Sequence, residues 1–461
     1  MRFLFRAINW PDSTNRRIFR AAAIIGLLTL VAKSAAVVKE LLVARWFGRS
    51  DTLDAFLIAY LVPSFVMTLT AGALITAFVP TFVETRQKQG IEAAQKLFSS
   101  ALFLSAIALT VITILLALFA PLYLPYMGSS FSIPKLRLTR HLLYVVLPFV
   151  LFGGTSTFVS YVLNAGERFA LAALTPLVTP VVTILFLELT ARRWGAFSLA
   201  SGILMGSFLE ASLVVRGLKA QGLRFTFRWG GLDSSSRQVW RQYAPMLSGT
   251  FLMCFTSIVD QSMAAMLPGG SVAALSYAAK IIATVLALGS IPLSAAVLPY
   301  FSKMVAENDL VGCRHTLKRY SALVALTAVP FTACLMMFSR PLVRLLFQRG
   351  AFTSADTELV SWVQICYSIQ IPFYICTMMF MQFLSSIKRN DILMYGAAIN
   401  LVLDIVLNLV LMRVWGVAGI ALSTSLVYVA SFLFVSTFSL RLLARRRLST
   451  AVVTETQEVI R

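Results

Sequence analysis

Charge is scarce in this sequence. Asp, Glu, Lys and Arg make up 13% of its 461 residues, against 58% hydrophobic residues. A soluble domain of this size would need far more polar surface. Histidine is scarcer still, with His141 and His315 alone. Five cysteines form no CxxC pair and no Cys/His spacing: Cys254, Cys334, Cys366 and Cys376 lie in apolar runs and Cys313 in a polar loop. That pattern predicts neither a disulfide nor a metal site. No Gly-rich phosphate loop, no GxSxG and no Walker sequence occurs. Nor is any segment between apolar runs long enough to fold as a catalytic or ATP-hydrolysing domain. The expectation is therefore not an enzyme, and no cofactor. Any transport would draw on an ion gradient, the membrane potential, the substrate gradient or a partner.

What is abundant is continuous apolar sequence, with a mean hydropathy of +0.82. Runs of about 20 residues recur from end to end, each long enough to span a hydrocarbon core of about 30 Å. A backbone in lipid must satisfy its own hydrogen bonds, which leaves helices or a closed barrel. The runs do not alternate, which excludes a barrel. The fold class is an all-α polytopic membrane protein of about twelve transmembrane helices. Spans are placed at 21–46, 54–82, 98–121, 141–164, 169–191 and 196–215, then 243–267, 271–302, 317–340, 357–386, 392–413 and 417–440.

The formal charge of +21 invites a nucleic-acid reading, but the basic residues sit in short loops, where they set topology. Their distribution favours both termini in the cytoplasm and a bacterial inner-membrane location. Residues 1–20, with five arginines, read as a basic cytoplasmic arm, and 216–242 as a basic cytoplasmic linker. Arg445, Arg446 and Arg447 open a cytoplasmic tail, 441–461. The linker divides the chain into an N-lobe, 21–215, and a C-lobe, 243–440. Leu74–Phe82 (LITAFVPTF) and Leu293–Phe301 (LSAAVLPYF) match at four of nine positions, Pro80 and Pro299 among them. With six spans in each half, this favours two pseudo-symmetric six-helix lobes around a central cavity.

Charges inside spans are the informative residues, since each costs roughly 2.5–3.5 kcal/mol at a helix centre. Lys33 lies near the middle of the first span, on one face with Glu40 two turns on, and Lys39 widens that stripe. Arg45 and Asp54 flank the short turn after it, and Lys280 lies in the second lobe. Basic residues in both lobes suit an anionic headgroup such as a pyrophosphate; the structural reading pairs them with carboxylates or lets them snorkel. Glu188, Glu210, Asp260 and Asp404 also fall in spans, where they either hydrogen-bond between helices or carry a coupling cation. Pro63, Pro80, Pro292 and Pro299 are candidate kinks and hinges. Segment 341–356 reads as either an interfacial helix or a gate.

The stretches KELLVARWFGRSDTLDAFLIAYLVPSF (39–65), GALITAFVPTF (72–82), SYAAKIIATVLALGSIPLSAAVLPYFSK (276–303) and LFQRGAFTSADT (346–357) resemble the MviN/MurJ lipid II flippases. Those belong to the multidrug/oligosaccharidyl-lipid/polysaccharide exporter superfamily. The resemblance implies two six-helix lobes, a V-shaped cavity and alternating access. It carries the family's cavity arginines onto Lys33, Lys39 and Lys280, and its acidic residue onto Asp54. Lysine keeps the charge but loses the planar fork that grips phosphate bidentately. An Arg-Arg pair of the family is replaced by Met67-Thr68, an acidic residue is missing at Ala71-Gly72, and an Asp is replaced by Ala279. The sequence after Arg447 has no counterpart of two further helices that hold a lipid tail in many members.

The function implied is translocation of an undecaprenyl-pyrophosphate-linked saccharide, either lipid II or another cell-wall or exopolysaccharide precursor. The substrate-binding candidates are Lys33, Lys39, Lys280, Arg45 and Asp54, and the ion-coupling or pairing candidates Glu40, Glu210, Asp260 and Asp404. Two other readings stay open: a Na+- or H+-coupled drug or metabolite antiporter of the same superfamily, and a non-transporting scaffold. Expected partners are the lipid-linked saccharide, membrane lipids and Na+ or H+. No nucleic acid is expected, and the chain is expected to work as a monomer beside polymer-synthesis enzymes.

Overall fold

The computed structural model describes residues 14–166, 169–226, 251–252, 254–307, 309–387 and 389–459, and among these every regular element is a helix. The first half contains α1 (Thr14–Phe47), α2 (Asp51–Met127), α3 (Ile133–Val146), α4 (Pro148–Ala165), α5 (Phe169–Leu174), α6 (Val178–Trp194) and α7 (Phe197–Leu218). After α8 (254–264) come α9 (Ser271–Ala306), α10 (Leu310–Met337), α11 (Ser339–Phe347), α12 (Ser354–Ser368), α13 (Gln370–Ser386), α14 (Asn390–Trp415) and α15 (Val417–Val459).

Ten helical stretches among the described residues are long and apolar enough to cross a membrane, and each falls on an expected span. Of the other two expected spans, 21–46 lies in α1, and 243–267 is described at 251–252 and from 254 on, where it contains α8, the rest lying outside the described residues. Large apolar side chains such as Leu118, Leu189, Leu288 and Val414 stay exposed, as a hydrocarbon-facing surface requires. Hydroxyls on these helices turn back onto their own backbone: Thr113 donates to the Leu109 carbonyl and Thr190 to that of Phe186, each at 2.7 Å.

The 77-residue α2 contains two expected spans, and the polar stretch between them, TRQKQG, is also helical apart from Gly90 at φ 86° and ψ −177°. Pro63 and Pro80 sit inside α2 in helical conformation, so its one non-helical residue is Gly90. Pro299 is exposed on α9.

The chain divides into two compact units. Unit 1 comprises Met1–Trp46, Ala59–Pro125 and Ile133–Thr250; unit 2 comprises Phe47–Ile58, Tyr126–Ser132 and Phe251–Arg461. Thus Phe47–Ile58, which the sequence places before and within the second N-lobe span, packs with the later half of the chain. Both halves of the nine-residue repeat end in a core residue. Phe82 is buried with Phe78, Phe98 and Phe158 in unit 1, and Phe301 with Phe380 and Phe383 in unit 2.

A second repeat is more exact in geometry. Trp194-Gly195 ends α6 and Trp415-Gly416 ends α14, with φ/ψ of 52°/−132° and 56°/−133°. Only glycine enters that region without strain. Each glycine turns the chain into a partner helix that packs back on its predecessor. In unit 1 the approach is close because α7 presents Gly202 and Gly206, where an added Cβ would stand 2.9 Å and 2.7 Å from the Cα atoms of Thr183 and Thr179.

Candidate functional site

In unit 1, Lys33 is exposed and lines a cavity of about 380 Å³ with Thr29, Ala36, Asn164, Ala173 and Pro176. The walls are mostly small and apolar, so the ammonium is the chief electrostatic feature there. Two turns on, Glu40 pairs with its chain neighbour: Lys39 Nζ lies 2.7 Å from Glu40 Oε1, with both side chains about one-fifth exposed. Lys39, Glu40 and Glu210 all act electrostatically on Tyr60, which gathers α1, α2 and α7 around one polar patch. Glu210 is held by two hydroxyls, Ser156 Oγ donating at 3.0 Å and Thr179 Oγ1 at 2.6 Å. Glu188 accepts from Trp46 Nε1 at 3.3 Å, and the Arg192 guanidinium sits 6.0 Å from that ring's centroid. Arg45 is exposed.

Unit 2 assembles the turn between α1 and α2. Gly48, at φ 51°, lies so close to the Ala351 carbonyl that an added Cβ would collide with it. Its own carbonyl accepts from the buried Tyr277 hydroxyl at 3.0 Å. Arg49 Nε donates to Asp356 Oδ1 at 2.9 Å, and Asp356 closes a capping box with Thr353 at the start of α12. Asp54, 1% exposed, accepts from the backbone N–H groups of Gly270 at 2.6 Å and Ala273 at 2.8 Å. A carboxylate is well placed there, against the positive end of α9. Lys280, one face along from these groups, holds its ammonium 5.9 Å from the Tyr277 ring centroid. Three stretches far apart in sequence, WFGRSDTLD, SYAAK and QRGAFTSAD, therefore meet in one cluster.

A separate polar cluster lies between α8, α14 and α15. Asp260 Oδ1 accepts from Asn408 Nδ2 at 2.7 Å and Oδ2 from Thr424 Oγ1 at 3.2 Å. Its carboxyl is also within hydrogen-bonding reach of Asp404. Asp260, Asp404 and Asn408 are all buried, and Asp404 Oδ2 and Asn408 Oδ1 lack a hydrogen-bond donor. Buried acceptors without donors are rare and call for an unseen donor or cation. Among the described residues no group of three or more His, Cys, Asp or Glu side chains forms a metal site.

Of the sequence candidates, Lys33, Lys39, Glu40, Arg45 and Glu210 fall in unit 1, and Asp54, Lys280, Asp260 and Asp404 in unit 2. Sequence reasoning missed Arg49 and Asp356, although both lie inside the stretches that carry the resemblance. Asn408 was detectable one turn after Asp404. Tyr60, Thr179 and Thr424 left no sequence signal, because polar residues of that kind recur throughout such helices.

A two-unit bundle of long apolar helices with charged groups held among them defines a membrane transporter fold. A solved lipid II flippase MurJ in an inward closed conformation superposes with a TM-score of 0.77, covering 93% of both chains at 24% identity. An inward-facing multidrug resistance transporter of the MATE family, itself of the MOP superfamily, also gives 0.77, covering 90% of this chain and 98% of that one at 13% identity. The lipid II flippase MurJ family profile matches residues 43–457, and the chain belongs to that family. A probable lipid II flippase MurJ of Bdellovibrio bacteriovorus is 26% identical over 416 residues, 88% of this chain and 79% of the relative. Its counterpart from Vibrio cholerae is 25% identical over 428 residues, 90% and 81%. Lys33, Lys39 and Glu40 precede the matched range.

Proposed function

We propose that this protein flips an undecaprenyl-pyrophosphate-linked saccharide across the bacterial inner membrane by alternating access, with lipid II as the first substrate to test. The observation that carries the reading is Lys33, a cation in a membrane helix that opens into a cavity and has no ion pair among the described residues. A charge so placed costs roughly 2.5–3.5 kcal/mol at a helix centre and persists where an anion uses it. Lys39 and Arg45 are the further basic groups of unit 1 for the pyrophosphate, and Lys280 is the basic candidate of unit 2 for substrate contact. Asp54 serves the site by fixing the start of α9, the helix that carries Lys280.

Asp260 and Asp404 form the coupling site. Two carboxyls within hydrogen-bonding reach need a shared proton or a cation between them, and the unsatisfied oxygens of Asp404 and Asn408 suit either H+ or Na+. Glu40 and Glu210 act as pairing residues, the first on Lys39 and the second on hydroxyls. Both termini are cytoplasmic, and the chain works as a monomer beside polymer-synthesis enzymes.

The likeness to MATE transporters gives antiport of a drug or metabolite as the second reading, favoured by the acidic pair. Complementation of a conditional strain depleted of its own lipid II flippase tests the first. Rescue establishes lipid II transport with lysines in place of arginines. Failure of a well-expressed protein assigns the cavity to another lipid-linked saccharide. Transport that survives Lys33→Ala but not Asp404→Asn would support antiport.

A further inference from the structure

The short helix α11 has a pattern that neither the cavity nor the acidic pair uses. Ser339, Val343 and Phe347 form its buried face. Ser339 Oγ donates to the Ser361 carbonyl at 2.9 Å, and the Phe347 ring lies 5.0 Å from that of Tyr277. On the other side Arg340 and Arg344 make one exposed row, and Pro341 and Leu345 the next. Leu345 is 69% exposed, and Met337 and Phe338, just before the helix, are 72% and 52% exposed. Arg349 is also exposed and donates to the Leu345 carbonyl at 2.9 Å. Among the described residues no ion pair involves Arg340, Arg344 or Arg349. The exposed Glu358 of α12 is not within ion-pair distance of them.

The position of α11 tells what covers this face. The candidate span Val311–Met337 ends immediately before it, and Ser354–Ser386 begins shortly after, so α11 joins two spans at the membrane boundary. A helix there with Leu345 outward, preceded by the exposed Met337 and Phe338 and bearing two exposed arginines, has the pattern of an interfacial helix. In that position its apolar row would meet the acyl boundary and the guanidiniums would lie at the depth of the phosphodiester groups, whose oxygens their planar forks match.

We infer that α11 is an interfacial anchor whose Arg340 and Arg344, with Arg349, bind the headgroup phosphates of anionic membrane phospholipids. Because Phe347 packs on Tyr277, which holds the Gly48 carbonyl, the bound lipid steadies the α1–α2 turn. This inference does not depend on the transported substrate.

The test is native mass spectrometry of the purified full chain titrated with phosphatidylglycerol and, separately, phosphatidylcholine. Wild type should retain phosphatidylglycerol preferentially. R340Q/R344Q should bind it roughly tenfold more weakly while phosphatidylcholine binding is unchanged. K318Q/R319Q, which removes two exposed charges from α10, should keep most of the preference. Wild-type preference in R340Q/R344Q overturns the proposal, and an equal loss in K318Q/R319Q overturns it in favour of diffuse charge. Should the double variant fail to purify, R344Q alone is titrated and judged by the same criterion.

Discussion

Replacing Asp54 with alanine separates a structural duty from a binding one. In the native protein its two carboxylate oxygens accept the Gly270 and Ala273 N–H groups at 2.6 Å and 2.8 Å, at a site 1% exposed. Removing both acceptors leaves two buried donors at the start of α9, each costing about 1–3 kcal/mol. Losing the charge at the helix N-terminus adds about 0.3–2 kcal/mol. Asp54→Ala should therefore destabilise unit 2 by roughly 2–8 kcal/mol, a fall of several degrees in the thermal unfolding midpoint in detergent. Asp54→Asn keeps one acceptor and should fall between. Arg49→Ala, which breaks a partly exposed pair, should cost at most about 1 kcal/mol. An Asp54→Ala protein with an unchanged midpoint and no transport would refute the reasoning and return the carboxylate to direct contact with substrate.

Four further outcomes are expected. Lys33→Ala should abolish flipping in a vesicle assay while the unfolding midpoint and membrane level stay at wild type, because Lys33 faces a cavity. Lys280→Ala should also abolish it, with at most about 1 kcal/mol lost from the Tyr277 contact; disappearance of either variant from the membrane would make that lysine structural. Asp404→Asn should remove the ion dependence of transport, and transport with unaltered ion dependence would take the acidic pair out of coupling. Gly206→Val should destabilise unit 1 by about 1–3 kcal/mol or more, read as a lower unfolding midpoint, since its Cβ would stand 2.7 Å from the Thr179 backbone.

The spans were legible because length and apolarity alone specify a membrane helix, and ten recur where the runs place them. The break in α2 was not: TRQKQG reads as a loop by polarity, yet its residues are good helix formers and Gly90 alone leaves helical geometry. Helical spacing put Glu40 on the face of Lys33, whereas the flexible Lys39 side chain reaches it from the adjacent position. Nor did spacing foresee Asp54 capping α9, a contact between residues 216 and 219 positions apart. Such partners are set by tertiary packing, and nothing local announces them. The Trp-Gly repeat escaped notice because two residues carry no statistical weight until their dihedral angles are known.

That repeat also bears on why the acidic pair occurs in one unit. Thr179 and Glu210 stand at the same distances along the chain from Gly195 as Asn400 and Ser431 do from Gly416, and both pairs hydrogen-bond across their hairpins. The positions of Asp404 and Asn408 correspond in the same way to Thr183 and Leu187 of unit 1, which offer no carboxyl. The hairpin is thus a shared scaffold on which the two units carry different chemistry. The difference is measurable. Thr179→Val removes a 2.6 Å bond to a carboxylate, worth about 1.5–3 kcal/mol when the acceptor is charged. Asn400→Leu removes a 3.2 Å bond between neutral groups, worth about 0.5–1.5 kcal/mol. In one detergent the unfolding midpoint should fall further for Thr179→Val. Equal losses would mean that Glu210 is held neutral and that the two hairpins share their chemistry as well as their geometry.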